Sequence, residues 1–137
     1  MAEFIIEKLK WGYEDEKMDE HVCITNVIFS PDDEIVYLPE KYNGEFVTHV
    51  GYTQNYTPAH EHWCDWHHPS KGSEWVKGKY TLGFTRFTIP ENVKKIIIPA
   101  SVKDFNSYSV KNAPNVILEV DENNDTYTVK NNKLVHK

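Results

Sequence analysis

Apolar residues along this chain fall into short runs that are rich in Val, Ile and aromatic side chains. Clusters of Pro, Asp, Asn and Gly separate these runs, and this arrangement is typical of β-strands joined by turns. Asn131-Asn132 predicts the turn of a closing hairpin, since Asn tolerates positive φ. The pattern predicts strands at residues 4–6, 22–24, 27–29, 35–38, 96–98, 116–120, 126–129 and 134–135.

Residues 3–10 are compatible with two structures. As a helix, they would place Phe4, Ile5 and Leu9 on one broad apolar face together with Trp11. The adjacent isoleucines and the following Gly12 suit the arm of a hairpin better, because β-branched residues are favoured in strands. We therefore predict a strand here.

The pattern changes over residues 53–87, which carry three of the four Trp and four of the seven His but no long aliphatic run. Connections of this length are uncommon in compact domains, and they tend to be functional or to carry structure of their own. The sequence therefore predicts one domain in three parts: an N-terminal β module at 1–52, a Trp- and His-rich insertion at 53–87, and repeat-like strands with a closing hairpin at 88–137.

Two segments of the third part share a template. Ile89-Pro90-Glu91-Asn92-Val93 is followed by Ile98-Pro99-Ala100-Ser101-Val102, and a stretched version begins at Leu38-Pro39. Pro ends a strand because it cannot donate to the ladder, and the Val that follows can pack the return segment onto the same core. About twenty residues separate the strands at 96–98 and 116–120, within the range of leucine-rich repeats. The fold class predicted is mainly β: a short, irregular, leucine-rich-repeat-like β-solenoid.

These phrases resemble the BspA-type leucine-rich-repeat family of bacteria. The resemblance rests on Ile98-Pro99-Ala100-Ser101-Val102, on Asn43-Gly44-Glu45-Phe46-Val47-Thr48-His49-Val50-Gly51, and on Val120-Asp121-Glu122-Asn123-Asn124-Asp125-Thr126-Tyr127. It covers residues 20–51 and 88–137. The chain departs from the family where Tyr108-Ser109-Val110 replaces its Ala-Phe pair and where residues 53–87 fit no repeat. The resemblance implies a binding module, and the family's long arrays are usually secreted or surface-exposed.

Charge narrows the possible partners. The net charge is −6, from 21 acidic and 15 basic residues, which argues against binding a nucleic-acid backbone. No run approaches 18 apolar residues, so no membrane-spanning helix is expected. The first residues lack the bases and the apolar run of a signal peptide, which predicts a cytoplasmic protein, or a surface or secreted one if an export signal has been removed.

The sharpest candidate for chemistry is the segment at residues 60–68. In an extended strand, His60, His62 and Cys64 would project to one face, and a turn could bring His67 round as a fourth ligand. Imidazole and thiolate in a tetrahedral set suit zinc, although the spacing matches neither a zinc finger nor a helical zinc site. Zinc binding is therefore the alternative function; otherwise no cofactor is expected.

Aromatic residues of the insertion are the candidates for partner binding: Trp63, Trp66, Trp75 and Tyr80. Aromatic side chains are favoured at recognition hot spots and in cores alike, so the same residues could instead anchor the insertion to the domain.

The sequence lacks the signatures of an enzyme. Cys64 has His neighbours that could activate a thiol, but sequence neighbours rarely form catalytic pairs, and no nucleophile motif or Gly-rich phosphate loop is present. We predict a non-catalytic module that binds a protein or glycan partner, with an unrecognised enzyme as the remaining alternative. Unpaired edges at the ends of a short solenoid also predict a homodimer.

Overall fold

A computed structural model describes residues 1–63 and 73–137 and confirms a mainly β fold. Its only helical element, within that part of the chain, is one 3₁₀ turn at Ser107–Val110. The strands are β1 (Glu3–Leu9), β2 (Gly12–Tyr13), β3 (His21–Ile28), β4 (Ile35–Tyr37), β5 (Lys41–Tyr42), β6 (Glu45–Phe46), β7 (His49–Val50), β8 (Tyr52–Thr57), β9 (His60–Trp63), β10 (Ser73–Val76), β11 (Lys79–Phe84), β12 (Lys95–Ile98), β13 (Asp104–Phe105), β14 (Ile117–Val120), β15 (Tyr127–Lys130) and β16 (Lys133–His136).

Two sheets form the part of the protein that we call the body. The first body sheet has four strands in the order β1-β3-β7-β13. β1 runs antiparallel to β3, so the segment at 3–10 forms the predicted strand rather than a helix. β3, β7 and β13 run parallel, with Ile24 beside Val50 and Val50 beside Phe105. These three side chains are buried and form the inner face of the sheet.

The second body sheet is entirely parallel, in the order β4-β12-β14. Ile96 lies beside Leu118, so the chain returns to this sheet after 22 residues, close to the predicted spacing. Val36 lies beside Ile96 on the other side, and these three side chains are buried. Leu38-Pro39 and Ile98-Pro99 both stand where a strand of this sheet ends, as expected from the inability of Pro to donate to a ladder.

Both sheets bury their inner faces in one core. It includes the Val of each Pro-x-x-Val phrase, Val93 and Val102, and Phe87, where the chain returns from the insertion. The C-terminal hairpin closes this core: Tyr127 is buried in it, and Asn131 and Asn132 have the positive φ values that the turn requires. Within the described residues, no helix is long and apolar enough to cross a membrane.

Candidate binding arm and the cluster at its base

The insertion is not an irregular loop, because its described part is a two-stranded antiparallel ribbon. β8 pairs with β11, with Thr57 opposite Lys79, and β9 pairs with β10, with His60 opposite Val76. The register therefore continues without a slip across the short break between the two strand pairs. We call residues 52–63 and 73–84 the arm. At about 3.4 Å per residue, each of its sides has a contour length of roughly 40 Å.

The proximal half of the arm, β8 and β11, is braced by the N-terminal segment. β2 adds a third strand next to β11, and the backbone N–H of Glu14 donates to the Gly78 carbonyl at 3.0 Å. The Tyr56 hydroxyl donates to the Glu14 carboxylate, and the Lys77 ammonium lies 3.0 Å from the Asp15 carboxylate. The approach is close here: a Cβ at Gly78 would lie 2.4 Å from the Glu14 carboxylate, so the exposed Glu14 side chain would have to move.

The distal half of the arm, β9 and β10, has no such support in the described structure. Within the described residues, these two strands pair only with each other. Trp75 stands on one face with 68% of its surface exposed. His60 and His62 are also exposed and share the opposite face, since side chains alternate along a strand.

The four predicted partner-binding residues differ in where they lie on the arm and in what the structure describes of them. Trp75 is on the exposed distal half, whereas Tyr80 is half-buried in the proximal half, with its ring 4.7 Å from that of Tyr56 and 4.8 Å from the Lys10 ammonium. Trp63 is the last described residue of β9. Trp66 lies outside the described residues.

The predicted zinc site is only partly within the described structure. His60 and His62 do share a face, and His60 Nδ1 lies 3.0 Å from the Pro58 carbonyl oxygen. Cys64 and His67, the other two predicted ligands, lie outside the described residues. Among the residues that are described, no group of three or more His, Cys, Asp and Glu could hold a metal ion. Zinc binding stays a prediction.

A cluster of aromatic and titratable side chains joins the base of the arm to the first body sheet. The rings of Trp11 and His21 stack at 4.2 Å, and the ring of His49 lies 4.8 Å from that of His21. Tyr52, the first residue of the arm, donates its hydroxyl to Asp104. The Asp104 carboxylate also lies 3.9 Å from His49 Nε2.

Burial sets the protonation chemistry of this cluster. Desolvation lowers the pKa of His49, and the neighbouring His21 lowers it further, while Asp104 acts in the opposite direction. Burial and then the hydrogen bond to Asp104 raise the pKa of Tyr52. The cluster therefore favours a neutral His49 and a neutral Tyr52.

Cys23, His49 and Asp104 are neighbours in register across three strands, which is the residue set of a cysteine nucleophile with its base. Cys23 cannot act in this way. It is completely buried, its Sγ contacts the Tyr52 carbonyl oxygen at 3.5 Å, and burial raises the pKa of the thiol to about 12. A thiol that is neither ionised nor accessible is structural.

Sequence reasoning missed this cluster because its members come from four separate segments. The one local signal is the Val47-Thr48-His49-Val50 phrase, in which Val47 and Val50 are buried in the core while His49 is only half-buried. In comparisons with known proteins, no family model, no curated protein and no solved structure matches this chain.

Proposed function

We propose that this chain is a non-catalytic protein-binding module, in which a small leucine-rich-repeat-like β-solenoid holds the arm out towards a partner. The observation that carries the proposal is the distal half of the arm, where β9 and β10 pair only with each other in the described part of the chain and Trp75 is 68% exposed. An exposed Trp on a projecting ribbon has the character of a binding hot spot.

The solenoid part of the proposal is supported by the two parallel ladders. β4, β12 and β14 form one ladder, and β3, β7 and β13 form the other, with β4 followed by β7 and β12 followed by β13 along the chain. Successive passes of the chain therefore stack on one another. The repeated template's phrases Leu38-Pro39 and Ile98-Pro99 lie at equivalent points of these passes, at the ends of β4 and β12.

A protein partner suits the arm better than a glycan. Among the described residues, β10 pairs only with β9, and a peptide strand can pair with the other edge of such a strand. Trp75 exposes its ring on one face of the ribbon, while Val76 turns to the opposite face together with His60. This combination favours an extended peptide segment with an apolar anchor.

Site-specific photocrosslinking in cells of the source organism tests this function. A benzophenone side chain replaces Glu74, the exposed neighbour of Trp75, in one variant and Thr128, an exposed residue of β15, in a control variant. We expect a discrete adduct with another protein at position 74 that is absent at position 128. No adduct at position 74, or the same adducts at both positions, would overturn the proposal.

A further inference from the structure

The ends of the two body sheets differ in how their edges are protected. The edge of β13 is covered by the Tyr127 hydroxyl, which accepts a hydrogen bond of 3.0 Å from the Phe105 N–H. The edge of β14 is covered by the Asn132 side chain, which accepts from the Leu118 N–H and donates to the Val116 carbonyl. Both C-terminal edges are therefore closed by polar side chains.

The N-terminal edge of the first sheet is protected in another way. β1 has a bulge between Ile5 and Ile6 and carries Glu3, Glu7 and Lys8. Bulges and charged residues are the usual means by which an edge strand avoids pairing with another chain.

Among the described residues, the edge of β4 has neither a capping side chain nor a bulge or charged residue of its own, and Met1, Ala2 and Phe4 line a shallow cavity beside the strand. The Glu34 carbonyl accepts from the Lys94 and Lys95 N–H groups, and the Leu38 N–H donates to the Ile97 carbonyl. Backbone groups alternate in direction along a strand, so the N–H and C=O groups of Ile35 and Tyr37 point away from β12. Within the described part of the chain, these groups have no hydrogen-bond partner. The side chains are also apolar and exposed, at 48% for Ile35 and 67% for Tyr37.

We infer that a second copy of this chain binds along β4, antiparallel, with Ile35 of one copy opposite Tyr37 of the other. This is the register in which the outward-pointing backbone groups of both residues exchange hydrogen bonds across a two-fold axis, with Val36 opposite its own copy. An aromatic side chain opposite a β-branched one is a favourable cross-strand pair. β4 contains no charged residue, so the pairing brings no like charges together.

The symmetric pairing satisfies the outward-pointing backbone groups of both copies at once, and it places the exposed Ile35 of each copy against the exposed Tyr37 of the other. It joins the two three-stranded sheets into one and keeps their outer faces on the same side. This inference goes beyond the function proposed for the arm, because β4 and the arm are separate surfaces. It also assigns the predicted homodimer to a particular edge.

Sedimentation equilibrium from about 1 to 500 μM tests the inference, since a contact of this size gives a weak dimer. We expect a concentration-dependent dimer in the wild type. Ile35→Lys and Tyr37→Glu should each weaken the dimer about tenfold or more. The double variant I35K/Y37E should regain it, because the introduced lysine of each copy then faces the introduced glutamate of the other, and this rescued dimer should weaken with added salt.

Ile117→Lys is the matched control. Ile117 is 51% exposed on the outer face of β14, in the row that also contains Ile35, but its strand is capped by Asn132. It should leave the dimer unchanged. A wild type that is monomeric throughout, or a dimer that survives both single substitutions, would overturn the inference. A dimer lost on Trp75→Ala would assign self-association to the arm, and would contradict both this inference and the separate partner proposed for the arm.

Discussion

Gly51 shows how one residue fixes the path of the backbone between the body and the arm. Its φ is +88°, its N–H donates to the Ile24 carbonyl at 2.9 Å, and its own carbonyl accepts from the Asn106 side chain at 2.8 Å. A Cβ at this position would lie 2.9 Å from the Cβ of Ser109. Two separate requirements therefore select glycine: the left-handed backbone and the close approach of the 3₁₀ turn.

Gly51→Ala and Gly44→Ala separate these two requirements. Gly44 has a similar φ of +82°, but a Cβ there would have no atom within 4 Å. We expect Gly44→Ala to cost about 1 kcal/mol of unfolding free energy, from backbone strain alone. Gly51→Ala should cost about 3 kcal/mol, because the Ser109 contact adds to the strain. Denaturant unfolding measures both, and equal costs would show that the 3₁₀ turn does not constrain Gly51.

His49 makes the stability of the protein depend on pH. Its pKa is lowered in the folded state, mainly by burial, from an ordinary value of 6.5. The unfolded chain therefore takes up a proton more readily than the folded protein, so the stability contributed here is present above pH 6.5 and is lost as the pH falls towards the lowered pKa. The groups that face His49 are Trp11, His21, Tyr52, Asp104 and the Thr48 hydroxyl.

Replacing His49 with Gln should reduce this pH dependence. Unfolding free energies measured between pH 7.5 and 5 should fall less steeply for His49→Gln than for the wild type. His60→Gln, at an exposed position on the arm, is the control and should follow the wild type. Parallel curves for all three proteins would contradict the role given to burial of His49.

At the scale of elements, the sequence predicts a strand where one face of that strand is buried in the core. The alternation of β4, β12 and β14 is local information, and so are the positive-φ asparagines of the closing turn. The arm was identified only as an insertion of different composition. Its strands are largely solvated, so no apolar alternation marks them or specifies their antiparallel register.

The distal half of the arm should be dispensable for folding. Replacing residues 58–78 with Asn-Gly joins Thr57 to Lys79, which already face each other, through a two-residue turn. We expect the free energy of unfolding to change by about 1 kcal/mol or less, because the described part of the excised segment is mainly exposed and only its Lys77 and Gly78 are tied to the Glu14–Asp15 turn. A shortened protein that fails to fold would show that the arm is part of the core structure.

At the scale of the whole molecule, the sequence does not predict which distant strands pair with each other. Val36 lies beside Ile96 although the entire arm separates them along the chain, and no local pattern encodes that neighbour. The cluster of His21, His49 and Asp104 also depends on long-range pairing, because it forms only when β3, β7 and β13 come into register. Residue types and spacing therefore predict the longer core strands and the distance between β12 and β14, but not the short strands, the strands of the arm or the contacts between distant segments.

The molecule has two parts with different surfaces: the body buries its apolar side chains in a core, and the arm exposes an aromatic side chain.

We propose that the arm, and not the outer face of the parallel sheet, binds the partner. A calorimetric titration of the crosslinked partner against three proteins tests it most directly: the wild type, Trp75→Ala and Ile117→Ala, the last on the exposed sheet face. We predict that Trp75→Ala weakens binding about 30-fold or more, while Ile117→Ala changes it less than about twofold. Equal affinities for the wild type and Trp75→Ala, or a larger loss at Ile117, would contradict the account.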